Sequence, residues 1–327
     1  MPVKPTYLDC DGFLIAAGFS KDAYRSVVEY KPKPDDIFIA TYPKCGTTWM
    51  QYIVTLILRK GEPFADGLDF FTNSPFLEMT GADAIETMRK PGVLKTHLPI
   101  HLVPFSPEAK YIYVARNPKD CCVSFYYHTK LFSPYNFENG TFEDYFEVFI
   151  RGEVDWGDYF DHLLGWYAHR NDPNVYFTTY ENMKKDIQSE IFKVAAFLGD
   201  EYLHILQEDK TVLNNVLRYS SLDYMRVNMN ALMKEFYEKL IEGSFDENIL
   251  PSGLKALQKN IRASIEAKQD DVLKTESKEG DKEIAFVRKG VVGDWKNHFT
   301  PEQEKILEEK IREKTKNSDV MNLWKDI

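Results

Sequence analysis

One stretch of this 327-residue chain restricts its fold more than any other. Asp36-Ile37-Phe38-Ile39-Ala40 is a short apolar run, and it leads into Thr41-Tyr42-Pro43-Lys44-Cys45-Gly46-Thr47-Thr48-Trp49. Trp49, Met50, Ile53, Val54, Ile57 and Leu58 then repeat at helical spacing, and Arg59, Lys60 and Gly61 suit the end of that helix. The pattern predicts a buried strand, a tight loop and a helix N-terminus. Such a junction presents unpaired backbone N–H groups and the positive end of a helix dipole. Lys44 adds a mobile cation, Gly46 permits close backbone approach, and Thr47 and Thr48 add hydroxyl donors. The expected product is a socket for a polyanion. It is not a Walker A loop, where the lysine follows the second glycine. Nor is it a cysteine-phosphatase loop, because position 51, where an arginine would close the turn, is Gln51. Taken alone, the loop is equally compatible with an ordinary strand–helix turn carrying a surface lysine.

Three further segments read as buried strands beside Ile37–Thr41: Val93–Thr96, Tyr111–Ala115 and Val175–Thr179. Helical patterns lie between most of them. The expected fold is α/β, with a mostly parallel central sheet flanked by helices and a P-loop-like strand–loop–helix. Ligands in such sheets bind beyond the carboxyl ends of the strands, so the residues just after each strand are the ones to inspect. Thr300-Pro301-Glu302-Gln303 carries the signals of a helix start, and a charged surface helix is expected to about Lys316.

A formal charge of −10 disfavours nucleic acid and anionic membrane as partners, although a local cleft can still be basic. Residues 1–11 contain no apolar core of a signal peptide, and no window approaches the about 18 apolar residues of a membrane span. Cys10, Cys45, Cys121 and Cys122 lack metal-ligand spacing, which fits a reducing, cytoplasmic setting better than a disulfide framework. No acidic cluster with metal spacing surrounds the motifs, so no metal is expected.

Four motifs in order resolve the ambiguity of the loop. The first is Thr41 to Trp49. The second is Leu94-Lys95-Thr96-His97-Leu98-Pro99. The third is Tyr113-Val114-Ala115-Arg116-Asn117-Pro118-Lys119-Asp120, with Ser124 and Tyr126-Tyr127-His128 following. The fourth is Arg288-Lys289-Gly290-Val291-Val292-Gly293-Asp294-Trp295-Lys296-Asn297-His298-Phe299-Thr300. Together they resemble the cytosolic sulfotransferase family over nearly the whole chain. The loop departs from the family's T-Y-P-K-S-G-T-T-W at Cys45. The resemblance implies sulfonate transfer from 3′-phosphoadenosine 5′-phosphosulfate (PAPS) to a hydroxyl or amine of a small acceptor.

The resemblance also implies roles. His97 would deprotonate the acceptor, a task that suits a group titrating near neutrality. Seen alone, one of seven histidines would be read as a core or surface residue. Lys95, two residues earlier on the same side of a strand, would stabilise the sulfonate, and Lys44 the leaving phosphate. Lys44, Cys45, Gly46, Thr47 and Thr48 would hold the 5′-phosphosulfate. Arg116, Ser124, Arg288, Lys289 and Gly290 would bind the 3′-phosphate, arginine because its planar fork matches phosphate. Trp49 and Tyr180 would hold the adenine, with Ser220 and Leu222 beside it. Without the resemblance, Arg116 is a surface ion pair, Arg288-Lys289 a solvated turn, and the aromatics core.

Three departures carry expectations of their own. A thiol at Cys45, beside Lys44 and a helix N-terminus, is expected to have a lowered pKa and to oxidise readily. The segment 228–283 is longer than is usual in the family. It is expected to form helices around Ala231–Ile241 and Leu254–Lys268, split by Pro251-Ser252-Gly253. It would act as a lid over an apolar acceptor, as in insect enzymes of the retinol dehydratase type, within a single domain spanning 1–327. The family's dimer motif is altered, with Lys296 and Thr300 kept but Pro301 and Lys305 substituted, so a monomer or weak homodimer is expected. Phe71, Phe76, Phe132, Tyr135 and Phe137 are candidates for an aromatic acceptor slot together with Phe125, and Glu78 could pair with an amine there. Two other readings compete: a kinase, disfavoured by the missing Walker A loop and magnesium constellation, and a PAPS-binding carrier, disfavoured because binding alone needs no base at His97.

Overall fold

The computed structural model describes residues 3–246, 248, 250–272 and 288–325, and side chains within the helix that ends at Val272 only as far as residue 263. Two strands, β1 (Tyr7–Cys10) and β2 (Phe13–Ala16), form an antiparallel hairpin. Its two-residue turn is Asp11-Gly12, both with positive φ (57° and 89°), which is the backbone that Asp-Gly favours between paired strands. The central sheet contains β3 (Ile37–Ala40), β4 (Leu94–Thr96), β5 (Lys110–Ala115) and β6 (Val175–Thr179) in the order β4-β3-β5-β6, with parallel pairing throughout.

These are the four segments expected from the sequence, shifted by a residue at some ends. Their pleat explains why they read as continuous apolar runs. Phe38, Ala40, Tyr111, Tyr113 and Ala115 enter one core, and Ile37, Ile39, Ile112 and Val114 enter a second on the other face. A strand buried on both sides has no polar face to alternate with. The chain leaves β3 toward β4, then returns across β3 to β5. The crevice at the carboxyl ends of β3 and β5 is therefore a topological switch point, the place where such sheets bind ligands.

The Thr47–Leu58 helix follows β3 directly and is buried along almost its whole length. The expected helix at 231–241 is the end of a longer one, Leu222–Glu242. Ser221 caps it by accepting from Tyr224 N at 3.3 Å, and Met225, Met229, Met233, Phe236 and Leu240 form its buried stripe. The second helix, Ser252–Val272, begins against the Leu77–Thr80 segment. A Cβ at Gly253 would lie 2.3 Å from Met79 O, so only glycine permits that approach. Residues 273–283 of the expected insert lie outside the described residues. No helix among the described residues is long and apolar enough to cross a membrane.

The Pro301–Thr315 helix starts as its sequence predicts. Thr300 Oγ1 accepts from Gln303 N at 3.2 Å, and Gln303 Oε1 accepts from Thr300 N at 3.0 Å. Thr300→Ala removes one half of this capping box and is expected to cost about 1 kcal/mol. A urea titration would show it as a lowered midpoint, whereas an unchanged midpoint would contradict the cap.

Candidate active site

The loop after β3 is built around two left-handed residues, Lys44 (φ 67°) and Gly46 (φ 101°). Gly46 caps the Thr47–Leu58 helix with no side chain on its first N–H groups. A Cβ there would stand 3.0 Å from Tyr180 Cδ2 in a backbone conformation that side chains resist. Thr41 and Thr47 hydroxyls meet at 2.5 Å and tie the strand end to the helix start. Arg116, just after β5, donates from Nη1 to Lys44 O at 3.0 Å.

Cys45 does not belong to the ligand face. The left-handed residues on either side of it turn its side chain into the core, where Sγ lies 3.8 Å from Cys121 Sγ with no exposure. Burial pushes its pKa well above the usual thiol range, the opposite of the lowered value expected from the sequence. Its N–H is directed at Tyr42 O, 3.4 Å away, so its backbone is not an open donor either.

The turn at 288–297 is fastened from below. Asp120, buried on the Pro118–Leu131 helix, accepts from Gly293 N at 2.6 Å and Trp295 N at 3.0 Å. Arg288 and Lys289 both bind Asp294, at 2.6 and 2.9 Å. Burial opposes the Asp294 carboxylate, but the Lys289 and Arg288 hydrogen bonds outweigh it and hold its pKa well below the usual range. Arg116 reaches this turn through Nη2 to Val291 O at 3.4 Å, and its guanidinium lies 4.4 Å from the centre of the Tyr180 ring. Its Nε is buried with no partner among the described residues. Gly290 (φ 65°) brings its backbone so close to Leu222 that a Cβ would meet Leu222 Cδ1 at 3.1 Å. An orphaned guanidinium N–H, an open helix N-terminus and two glycine-lined approaches are a good fit for a ligand with phosphate at both ends.

His97 follows β4. Its Nδ1 lies 2.8 Å from Thr41 O, and a carbonyl only accepts, so Nδ1 carries the proton and Nε2 keeps the lone pair. Burial, with Lys95 next in effect, drives the imidazole pKa well below its ordinary value, so the ring is neutral. His162 supports it from behind, donating from Nε2 to His97 O at 3.1 Å while Nδ1 accepts from Tyr113 OH at 2.9 Å. Burial lowers the Lys44 pKa to about 8, with Arg116 adding to the effect. Burial and then Lys44 lower the Lys95 pKa to about 7. Lys44 Nζ stands 3.5 Å from His128 Nδ1.

A cavity of about 370 Å³ joins these groups. Lys44, Gly46, Thr47, Thr48, Trp49, Lys95, His97, Arg116, Ser124, Tyr180, Leu222, Arg288, Lys289 and Gly290 all line it. Cys45 and Ser220 do not. Ser220 is fully buried, with Oγ donating to Val216 O at 2.6 Å, and its carbonyl accepts from Trp49 Nε1 at 2.8 Å. It therefore orients the indole and does not face the ligand. The same cavity is also lined by the apolar and aromatic side chains of Ala16, Ala17, Phe19, Phe70, Phe71, Phe76, Met79, Leu131, Phe132, Tyr135, Trp156, Met225, Met233, Tyr237, Ile241, Leu257 and Ile261. Phe125 and Phe137 are core residues and do not line this cavity. Glu78 is also buried and outside the cavity lining, accepting from the Thr96 hydroxyl, so it offers an acceptor amine no contact there.

Several residues that matter here had no signal in sequence reasoning. His162 lies far along the chain in an unremarkable helix. Asp120 ends the Tyr113–Asp120 motif, where its residue type alone points to no role. Ala16, Ala17 and Phe19 arrive with the β1–β2 hairpin, which Asp11-Gly12 could have announced. Among the described residues no group of three or more His, Cys, Asp or Glu side chains is arranged to hold a metal ion.

The model of the sulfotransferase domain family matches residues 34–262 and 233–319. Sulfotransferase 1C2 of Oryctolagus cuniculus is 35% identical, over 96% of this chain and 94% of the relative. Among solved structures, mouse sulfotransferase SULT7A1 complexed with PAP superposes with a TM-score of 0.68 at 27% identity, covering 96% of this chain and 95% of that one. Retinol dehydratase in complex with androsterone and PAP shares the fold at a TM-score of 0.70 and 22% identity, covering 96% and 91%. The chain belongs to the sulfotransferase family, as a PAPS-dependent enzyme.

Proposed function

We propose that this enzyme moves the sulfonate of PAPS to a hydroxyl of a flat, apolar acceptor, with His97 as general base. The observation that carries the reading is the fixed tautomer of His97, whose basic Nε2 is left available in the same cavity as Lys44 and Lys95. When bound, PAPS supplies an activated sulfonate on a good leaving group.

The protein's part is positioning and charge neutralisation. The N–H groups at Thr47, Thr48 and Trp49, with Lys44, hold the phosphosulfate end. Arg116, Ser124, Arg288, Lys289 and the Gly290 backbone hold the 3′-phosphate, displacing part of the Arg288 and Lys289 pairing with Asp294. Trp49, Tyr180 and Leu222 receive the adenine. His97 Nε2 takes the proton of the acceptor hydroxyl, Thr41 O supports the imidazolium through Nδ1, and Lys95 neutralises the charge on the sulfonate oxygens. No Asp or Glu among the described residues lines the acceptor end, which favours an uncharged phenol or alcohol over a cationic amine. The Leu222–Glu242 and Ser252–Val272 helices supply Met233, Tyr237, Ile241, Leu257 and Ile261 to that end. On this reading the insert is a docked wall of the acceptor site that encloses it as a lid.

Three outcomes follow. His97→Ala is expected to lower kcat by about 10²–10⁴ while calorimetry shows PAP affinity within about threefold of wild type. A variant with near-normal kcat would remove His97 as the base. The pH dependence of kcat/KM for PAPS reports the free enzyme. The rate needs protonated Lys95 and Lys44, so it is expected to fall as pH rises through about 7 to 8. It needs neutral His97, whose pKa lies well below 6.5, so no loss is expected on lowering pH from 7 to 6; a steep decline there would place an ordinary histidine in the reaction. Tyr237→Ala is expected to raise acceptor KM about 10-fold through lost aromatic contact, leaving KM for PAPS within about twofold. An unchanged acceptor KM would make the insert a bystander.

A further inference from the structure

Phe76 sits where the acceptor wall meets the reacting centre. It precedes the Leu77–Thr80 helix and bridges in parallel to Lys95 on β4, while Lys95 N donates to Pro75 O at 2.9 Å. This backbone pairing fixes the ring beside the strand end. The Lys95 ammonium nitrogen lies 3.8 Å from the centre of the Phe76 ring. The His97 ring meets the same phenyl at 4.9 Å between centroids and 79° between planes. Phe19 and Trp156 pack against Phe76 at 5.4 and 5.8 Å and hold it in place.

We propose that Phe76 is a positioning residue, a single ring that holds the Lys95 ammonium against its face and the His97 imidazole against its side. The inference rests on the roles given above to Lys95 and His97. The negative face of an aromatic ring attracts a cation, and does so more strongly where water is excluded. Lys95 needs such help. The titratable groups facing it are Lys44 from the loop, His97 from its own strand end, His128 from the Pro118–Leu131 helix and Glu78 from the Leu77–Thr80 helix. Lys44 opposes its charge and Glu78 supports it, but burial, the largest effect on Lys95, works against the charged form. The ring favours the ammonium without adding a competing carboxylate to the cavity.

A residue that only walls the acceptor site would change acceptor KM and nothing else. A ring that holds Lys95 also sets the pH at which Lys95 loses its proton. In Phe76→Leu the cation loses its partner, so its pKa falls, and the alkaline limb of kcat/KM for PAPS is expected to move about 0.5–1.5 pH units lower. Phe76→Tyr keeps the π face and is expected to keep the limb within about 0.3 unit of wild type. Phe71→Leu, a matching change elsewhere in the wall, is expected not to move it. NMR titration of protein labelled with ε-¹³C lysine, with Lys95 assigned by the signal missing in Lys95→Arg, gives its pKa without turnover. The proposal requires the Lys95 signal to shift with Phe76→Leu and to be retained with Phe76→Tyr. An unshifted signal in Phe76→Leu, or an equal shift in Phe76→Tyr, would overturn it. A Lys95 signal that shifts while the activity limb stays fixed would uphold the ring–cation contact and would instead unseat Lys95 from the reaction.

Discussion

The open N-terminus of the Thr47–Leu58 helix is the feature on which the rest of the site depends. A helix start normally recruits a capping side chain, and here Gly46 offers none. The N–H groups it leaves are aimed beyond the carboxyl end of β3, at the point where the chain's path through the sheet reverses. Everything around the loop keeps it in that state. The Thr41 and Thr47 hydroxyls lock its two ends together, Arg116 clamps the Lys44 carbonyl, and Tyr180 packs where a Cβ on Gly46 would have to go. The cost of an uncapped, left-handed loop is offset by packing on both faces of the fully buried strand β3.

The site's electrostatics follow from putting cations into an enclosed space. The chain as a whole is acidic, yet Lys44, Lys95, Arg116, Arg288 and Lys289 converge on one cavity. In the free protein some of that charge is neutralised internally: Asp294 holds Arg288 and Lys289, and the Lys44 and Lys95 pKa values are lowered by burial and by their cationic neighbours. A polyanion relieves all of these at once. The same burial keeps His97 neutral, so one physical effect leaves an uncharged imidazole and creates a demand for negative charge within a single cavity. Thr41 contributes to both halves, with its hydroxyl on the loop and its carbonyl on the His97 ring.

Most of the cavity lining that follows β3, β4 and β5 was legible in the sequence because local chemistry determines it. Buried parallel strands are short apolar runs, and the residues after them fall at the ligand edge whatever the rest of the chain does. What the sequence did not reveal depends on side-chain direction. The left-handed turns that point Cys45 into the core, and the helix end that turns Ser220 under Trp49, follow from backbone angles that residue types alone do not fix. Phe137 and Glu78 read as pocket residues by position, but packing places one in the core and the other outside the cavity lining. The Leu222–Glu242 helix starts nine residues before the expected one because Asp223, Arg226, Asn228 and Asn230 interrupt the apolar residues of its first turns, and its buried stripe there is carried by the spaced Met225 and Met229. The β1–β2 hairpin carries an Asp-Gly turn signal, and it brings Ala16, Ala17 and Phe19 to the cavity wall.

The account stands on one spatial claim: donor and acceptor occupy opposite ends of a single cavity and meet at His97, Lys95 and Lys44. A crystal structure of the protein with PAP and 2-naphthol tests it directly. The account predicts the nucleotide's phosphates against residues 44–49 and 288–290, and the naphthol oxygen within about 3 Å of His97 Nε2. PAP bound elsewhere, or a naphthol oxygen pointing away from His97 with the nucleotide in place, would contradict it.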